Sequence, residues 1–120
     1  MLKSEGITPN GLIVPDDEAP ITEPEPGLKR QVLAHSPAMM LVRHQMRQGW
    51  CGSAHAHPHE QLVYVVSGRI RITVDGVSRD ADAGSSFIIA SNIQHQATAL
   101  EDSVVLDVFA PTREDYLSER

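Results

Sequence analysis

The sequence predicts an all-β fold, a sandwich or small barrel in one domain, and three observations carry that expectation. From Lys29 onward the chain consists of short segments rich in Val, Ile and Leu, separated by Gly, Asp-Gly and Ser-Asn signals. One segment, RIRITV, alternates strictly: Ile70, Ile72 and Val74 fall on one side and Arg69, Arg71 and Thr73 on the other. That is the pattern of a strand with one buried face. No long stretch of helical period interrupts the series, and 120 residues leave room for one hydrophobic core.

The elements follow in order. Residues 1–27 hold five of the eight prolines and six acidic residues against one lysine. Such a composition does not support a core of its own, so an extended arm is expected, loose or laid across a partner subunit. Strands are expected at Gln31 to Ala34, Met39 to Met46, Leu62 to Val66, Arg69 to Val74, Ser86 to Ala90, His95 to Ala99 and Ser103 to Phe109. Ser67-Gly68 and Asp75-Gly76 supply hairpin turns. In the closing PTREDYLSER, Thr112 is placed to cap a short helical turn with Glu114 and Asp115 near its positive end. The domain is therefore expected over residues 28–117, with 118–120 as a tail.

A net charge of −6 argues against nucleic acid or an anionic membrane surface as partner. No apolar run approaches the roughly 20 residues of a membrane helix. The start MLKSEGITPNG lacks the basic and apolar regions of a secretory signal, so a cytoplasmic address is expected. Cys51 is the single cysteine, which permits no intrachain disulfide and fits a reducing compartment; it reads as a spectator thiol.

Residues 55–61 read HAHPHEQ. In an extended strand residues two apart point the same way, so His55 and His57 present two imidazoles to one side, where they can chelate a cation. Gln61 begins an apolar strand and His95 lies on a later one. Four groups on neighbouring strands can then surround one ion. His59 shares the odd-numbered series, but Pro58 breaks the strand, and a supporting or surface role is favoured. His44 alternates with Val42 and Met46 on an inward face and reads as a packed, hydrogen-bonded core histidine, while His35 reads as a loop residue.

In SVVLDVFAP one face carries Val105, Asp107 and Phe109 and the other Val104, Leu106 and Val108. Both faces are mostly apolar, so Asp107 is a carboxylate in an interior. It needs a structural hydrogen bond, a nearby arginine, or a place in a site where it moves a proton. Arg113, just after Pro111, is either a solvated arginine beside Glu114 or a two-pronged anchor for a substrate carboxylate.

The spacing His55, His57, Gln61, Gly68 and then Gly84, Ala90, Asn92, His95 resembles the two motifs of the cupin family, with Ala90 and Asn92 in the proline and glycine slots before the last histidine. The stretches HAHPHEQLVYVVSGRIRITVDG and ALEDSVVLDVFAPTREDYL, with GLKRQVLA and MMLVRHQMRQG, are similar to the KdgF-type pectin-degradation cupins. The resemblance implies a double-stranded β-helix, or jelly-roll barrel, with an extended N-terminal arm. It implies metal ligands His55, His57, Gln61 and His95, and active-site residues Asp107, Phe109 and Arg113. The activity implied is metal-dependent ring opening of 4,5-unsaturated monouronates from pectin or alginate to a 4-deoxy-5-keto uronate.

Glutamine in the usual carboxylate slot leaves an all-neutral ligand set, so a divalent ion keeps its full charge. That favours Lewis-acid over redox chemistry. The ion is expected to be nickel, zinc, iron or manganese, all of which accept imidazole. The rival readings are another small metal-dependent cupin, dioxygenase or polyketide-cyclase-like, and a non-catalytic module that binds a sugar acid. A homodimer is expected, because small cupins cover sheet edges by pairing.

Overall fold

A computed structural model describes residues 13–118. Within them the chain forms β1 (Ile21–Glu25), β2 (Leu28–His35), β3 (Met40–Met46), β4 (Glu60–Ser67), β5 (Arg69–Val74), β6 (Val77–Asp82), β7 (Ser86–Ile89), β8 (His95–Ala99), β9 (Ser103–Ala110) and a closing turn of helix, α1 (Glu114–Leu117). The strands divide into two antiparallel sheets, β1-β2-β3-β9-β4-β7 and β6-β5-β8. Among the described residues no helix is long and apolar enough to cross a membrane.

Alternation settles which residues meet between the sheets. Along β9 buried and half-buried positions alternate without a break, with Ser103, Val105, Asp107 and Phe109 inside. On β5 the inward pair is Ile70 and Ile72, with Arg69 and Arg71 exposed. The inward apolar side chains form two clusters. One joins Leu28, Met46, Val63, Val65, Ile70 and Val105, and the other joins Val32, Met40, Val42, Phe109 and Tyr116. Each fully buried Val or Ile adds about 1.5–3 kcal/mol over its exposed state.

Between these clusters the same inward rows change character. Arg30 sits between Leu28 and Val32 on β2, His44 between Val42 and Met46 on β3, and Asp107 between Val105 and Phe109 on β9. Gln61 precedes Val63 on β4. The four strands are consecutive neighbours, so they lay one polar row across the barrel between two apolar floors.

Several expectations change. Strand β1 lies in the segment read as an arm and pairs with β2 through Ile21↔Gln31 and Thr22↔Arg30, so this part of it extends the chain's own larger sheet. Residues 1–12 of that segment, and residues 119–120 of the tail, lie outside the described residues. Strand β6 was not expected, because VSRDAD is exposed except at Ala81 and carries no apolar alternation; it forms as the return strand of the Asp75-Gly76 hairpin. Both turn residues have positive φ, 51° and 82°, the conformation that Asp-Gly adopts in two-residue hairpins.

Ser67-Gly68 is not a hairpin turn. Strands β4 and β5 belong to different sheets, and Gly68 is the corner between them. Thr112 does not cap α1 either: Arg113 is the capping residue, without a side-chain bond, and the Thr112 hydroxyl donates to the Ser36 carbonyl.

Gly68 has φ +85°, and a Cβ built there would collide with Ser103 Oγ and the Asp102 carbonyl and lie 2.7 Å from Ser103 Cα. Backbone on both sides prevents relief. Gly68→Ala is expected to cost about 3 kcal/mol or more. A urea midpoint unchanged from that of the parent chain would show that the corner relaxes at no cost.

Candidate metal centre and its cavity

His55 and His95 face each other across an isolated antiparallel bridge, His55 N–H donating to the His95 carbonyl at 3.0 Å and His95 N–H to that of His55 at 2.8 Å. His57 joins them. The ring centroids are 4.4 Å apart for His55 and His95, 4.9 Å for His57 and His95, and 5.5 Å for His55 and His57. One ring nitrogen from each falls within 4.8 Å of the others.

Backbone carbonyls fix which nitrogens those are. Nδ1 of His55 lies 3.0 Å from the Ser53 carbonyl, Nδ1 of His57 2.9 Å from that of His59, and Nδ1 of His95 2.9 Å from that of Ile93. A carbonyl only accepts, so each Nδ1 carries the hydrogen and each Nε2 keeps its lone pair. A metal-binding imidazole needs this tautomer and this support.

His59 therefore supports the cluster through its backbone. Its own ring Nδ1 is buried without a partner among the described residues. Asn92, in the slot that the cupin motif gives to glycine, has φ 64° and donates its N–H to the His57 carbonyl at 2.8 Å. Asparagine tolerates the left-handed region, so the approach to His95 keeps its shape.

Gln61 completes the set. Its Nε2 donates to Asp107 Oδ1 at 2.9 Å, which turns its Oε1 toward His57 Nε2 at 3.2 Å. With the hydrogen of His57 on Nδ1, two lone pairs face each other at that distance. A cation between them resolves the conflict. A proton on His57 Nε2 is the alternative, and it is disfavoured: burial first, and then the positive charge of Arg113, lower the His57 pKa from 6.5. The His95 pKa is lowered as well, first by burial. The four residues thus fit a divalent ion that accepts imidazole and an amide oxygen.

Beside the cluster is a cavity of about 230 Å³ whose wall includes Arg30, His44, Trp50, His55, Gln61 and Asp107. Asp107 is 3% exposed, and both its oxygens meet donors, Gln61 on Oδ1 and His44 Nδ1 on Oδ2 at 2.7 Å. The structure accordingly makes His44 the hydrogen-bonded core histidine that alternation implied and also joins it to Asp107.

Phe109 and Arg113 do not line this cavity. The Phe109 ring meets His57 edge-on, with centroids 5.8 Å apart. The Arg113 fork holds Asp115, Nη2 to Oδ2 at 2.8 Å and Nε to Oδ1 at 3.2 Å, and lowers the Asp115 pKa. Its guanidinium lies over Phe109 at 5.2 Å and over Tyr116 at 4.1 Å. Cys51 is exposed and takes no part in the cluster.

Two further residues, Arg30 and Tyr116, belong to this region without a motif that marks them. Arg30 has its guanidinium 3.7 Å from the Tyr116 ring centroid, so Tyr116 carries a cation against it from Arg30 and another from Arg113. The alternation Leu28, Arg30, Val32, with an arginine in an apolar row, was the available signal. Tyr116 gave none, because a lone aromatic in a charged tail has no period to betray its burial.

A model of the cupin domain matches residues 42–109, more than half of the chain, and the chain belongs to that family. Its similarity reaches further, to KdgF. It is 34% identical over 104 residues to the pectin degradation protein KdgF of Dickeya dadantii (strain 3937), covering 85% of this chain and 94% of the relative. The solved structure of KdgF from Halomonas sp. matches with a TM-score of 0.83 at 36% identity, over 88% of this chain and 99% of that one. An RmlC-like cupin from Shewanella frigidimarina matches with a TM-score of 0.83 at 35% identity, over 87% and 94%.

Two outcomes are expected. Zinc or nickel at about 100 times its dissociation constant raises the unfolding free energy by about 2.7 kcal/mol, read as a higher thermal midpoint; no shift with either ion would contradict the metal reading. In the metal-free protein, His57 and His95 have lowered pKa values, so the unfolded chain binds more protons in mild acid. Their contribution is complete above pH 6.5 and is lost as pH falls below it toward the lowered values. Chemical denaturation of the metal-free protein between neutral and mildly acidic pH measures this.

Proposed function

We propose that the protein opens the ring of 4,5-unsaturated monouronates released from pectin or alginate, giving a linear 4-deoxy-5-keto uronate. The observation that carries the reading is the link from the histidine cluster through Gln61 to a buried carboxylate, Asp107, on a cavity wall. The similarity to KdgF, named for pectin degradation, supports it. At about 230 Å³ the cavity is smaller than the roughly 300 Å³ at which pockets for drug-sized ligands begin, which suits one sugar ring better than an oligosaccharide.

The substrate is a cyclic hemiacetal whose ring oxygen also belongs to an enol ether, with a carboxylate on C5. Asp107 takes the proton of the anomeric hydroxyl; the C1–O5 bond breaks, C1 becomes an aldehyde, and O5 leaves as an enolate. Returning the proton to C4 gives the ketone at C5. Nothing is gained or lost overall, so one carboxylate that takes and returns a proton suffices.

His55, His57, His95 and Gln61 would hold the ion, which when bound supplies a Lewis acid for the enolate and carboxylate oxygens. Gln61 and His44 keep both Asp107 oxygens aimed by hydrogen bonds. Arg113, which stands off the cavity wall with its fork on Asp115, is the proposed anchor for the substrate carboxylate and would have to release Asp115 to reach it, while Phe109 buttresses His57.

The proposed partner in assembly is a second copy of the chain. The outer face of β4 and β7 exposes Leu62, Tyr64, Val66 and Ile88, an apolar area with Glu60 at its end that two copies can share. Sedimentation as a monomer at micromolar concentration would remove that proposal.

The central test is loss of enol-ether absorbance from an unsaturated galacturonate monomer, against a blank without protein and a chelator-stripped sample. Excess rate that disappears with the metal is expected, with no uptake of oxygen. Asp107→Asn is expected to lower kcat by about 10²–10⁴-fold with the histidines still holding metal. Arg113→Ala should lose about 1.5–3 kcal/mol of substrate binding, roughly 10- to 100-fold in KM. Wild-type rates in Asp107→Asn would take Asp107 out of the reaction.

A further inference from the structure

We propose that Arg30 and His44 are positioning residues that set the direction of a hydrogen-bond chain ending at the Gln61 carbonyl oxygen, and so set how tightly the histidine cluster holds its ion. The inference rests on the metal-centre reading and is independent of the ring-opening chemistry.

Arg30 Nε lies 2.9 Å from His44 Nε2, in the interior. A guanidinium has hydrogens and no lone pair to offer, so His44 Nε2 accepts and the ring hydrogen sits on Nδ1. From there it points at Asp107 Oδ2, 2.7 Å away. With a donor already on that side, the carboxylate receives a second one on Oδ1, the Gln61 amide at 2.9 Å. The amide has two ends. Once its nitrogen faces Asp107, its oxygen faces His57 Nε2 and the space among the three histidines.

The links reinforce one another. A carboxylate only accepts, so Asp107 asks for a hydrogen from His44 Nδ1 and from the Gln61 amide, and Arg30, which only donates, asks His44 for the same tautomer from the other side. Without Arg30, the His44 ring is free to turn or to carry its hydrogen on Nε2, which sets a ring lone pair against the carboxylate. Asp107 then turns away, the Gln61 nitrogen loses its acceptor, and the amide is free to send its NH₂ group into the metal site, where it cannot ligate. The guanidinium disfavours this second arrangement. It is itself held flat on Tyr116, 3.7 Å from the ring centroid, so the end of the chain that carries the permanent charge is also packed.

Full-length protein carries the test. Long-range ¹H–¹⁵N NMR on the unaltered chain should show His44 as the Nδ1–H tautomer. Zinc affinity is then measured by calorimetry for Arg30→Met, His44→Leu and His44→Gln, with circular dichroism as the check on folding. Arg30→Met and His44→Leu are expected to bind zinc roughly 10- to 100-fold more weakly, the usual cost of losing a partner behind a metal ligand. His44→Gln, whose amide offers an acceptor to Arg30 and a donor to Asp107, should restore most of the affinity. In Arg30→Met the His44 signals should shift toward the other tautomer.

An Nε2–H tautomer in the unaltered protein would overturn the proposal, as would parental zinc affinity in Arg30→Met. Should His44→Leu fail to fold, those two measurements still decide the matter. Failure of the unaltered chain to bind zinc or nickel would defeat the metal-centre reading itself, while the tautomer would still report on the chain of hydrogen bonds.

Discussion

A carboxylate buried in an apolar interior must be met by donors, and here that requirement falls on Asp107, at 3% exposure between two hydrophobic clusters. Its neighbours are chosen accordingly. A glutamate at 61 would bring a second carboxylate to where the Gln61 nitrogen now lies, 2.9 Å from Asp107, and two carboxylates so close do not both ionise. Glutamine answers both sides at once, with an NH₂ group for Asp107 and a carbonyl oxygen for the cation site. The departure from the carboxylate of the general cupin pattern and the aspartate on β9 are thus two halves of one arrangement.

The same constraint orders the rest of the row. Arg30, His44, Asp107 and Gln61 come from β2, β3, β9 and β4, which are adjacent in the sheet though far apart in the chain. Antiparallel pairing aims their side chains to one side, and diagonal reach across neighbouring strands closes the contacts. Although the whole chain carries a charge of −6, two arginines converge on this region, and Tyr116 lies against both guanidiniums. Arg113 is one of the causes that hold the His57 and His95 pKa values down, which keeps their nitrogens available to metal.

Most strands were legible because their periodicity is strong. The bounds of β5 and β8 coincide with the expected segments, and β9 shows its alternation from end to end. What failed to show was structure made by pairing rather than by burial. Strand β1 is exposed except at one half-buried position, and β6 buries only Ala81, so neither leaves an apolar pattern to read. Each exists because a neighbour with unsatisfied backbone groups lies beside it. The Ser67-Gly68 corner is a related case: the dipeptide signals a sharp reversal and says nothing about whether the chain returns to the same sheet.

The sequence by itself determined the all-β class, the pairing of His55 with His57 just ahead of Gln61, and the presence of a carboxylate in the interior, because spacing and alternation of period two are local properties of the chain; that His95 joins them is implied by the cupin resemblance and by no local period. Only the tertiary structure decided what meets that carboxylate. The link from Arg30 to His44 spans 14 residues, His44 to Asp107 spans 63, and Gln61 to Asp107 spans 46. No local pattern encodes such pairings; they follow from the order of strands in the sheet. The same order left the Arg113 fork on Asp115 and placed Arg30 at the cavity wall, since which of two arginines reaches a given point depends on the path of the backbone between them.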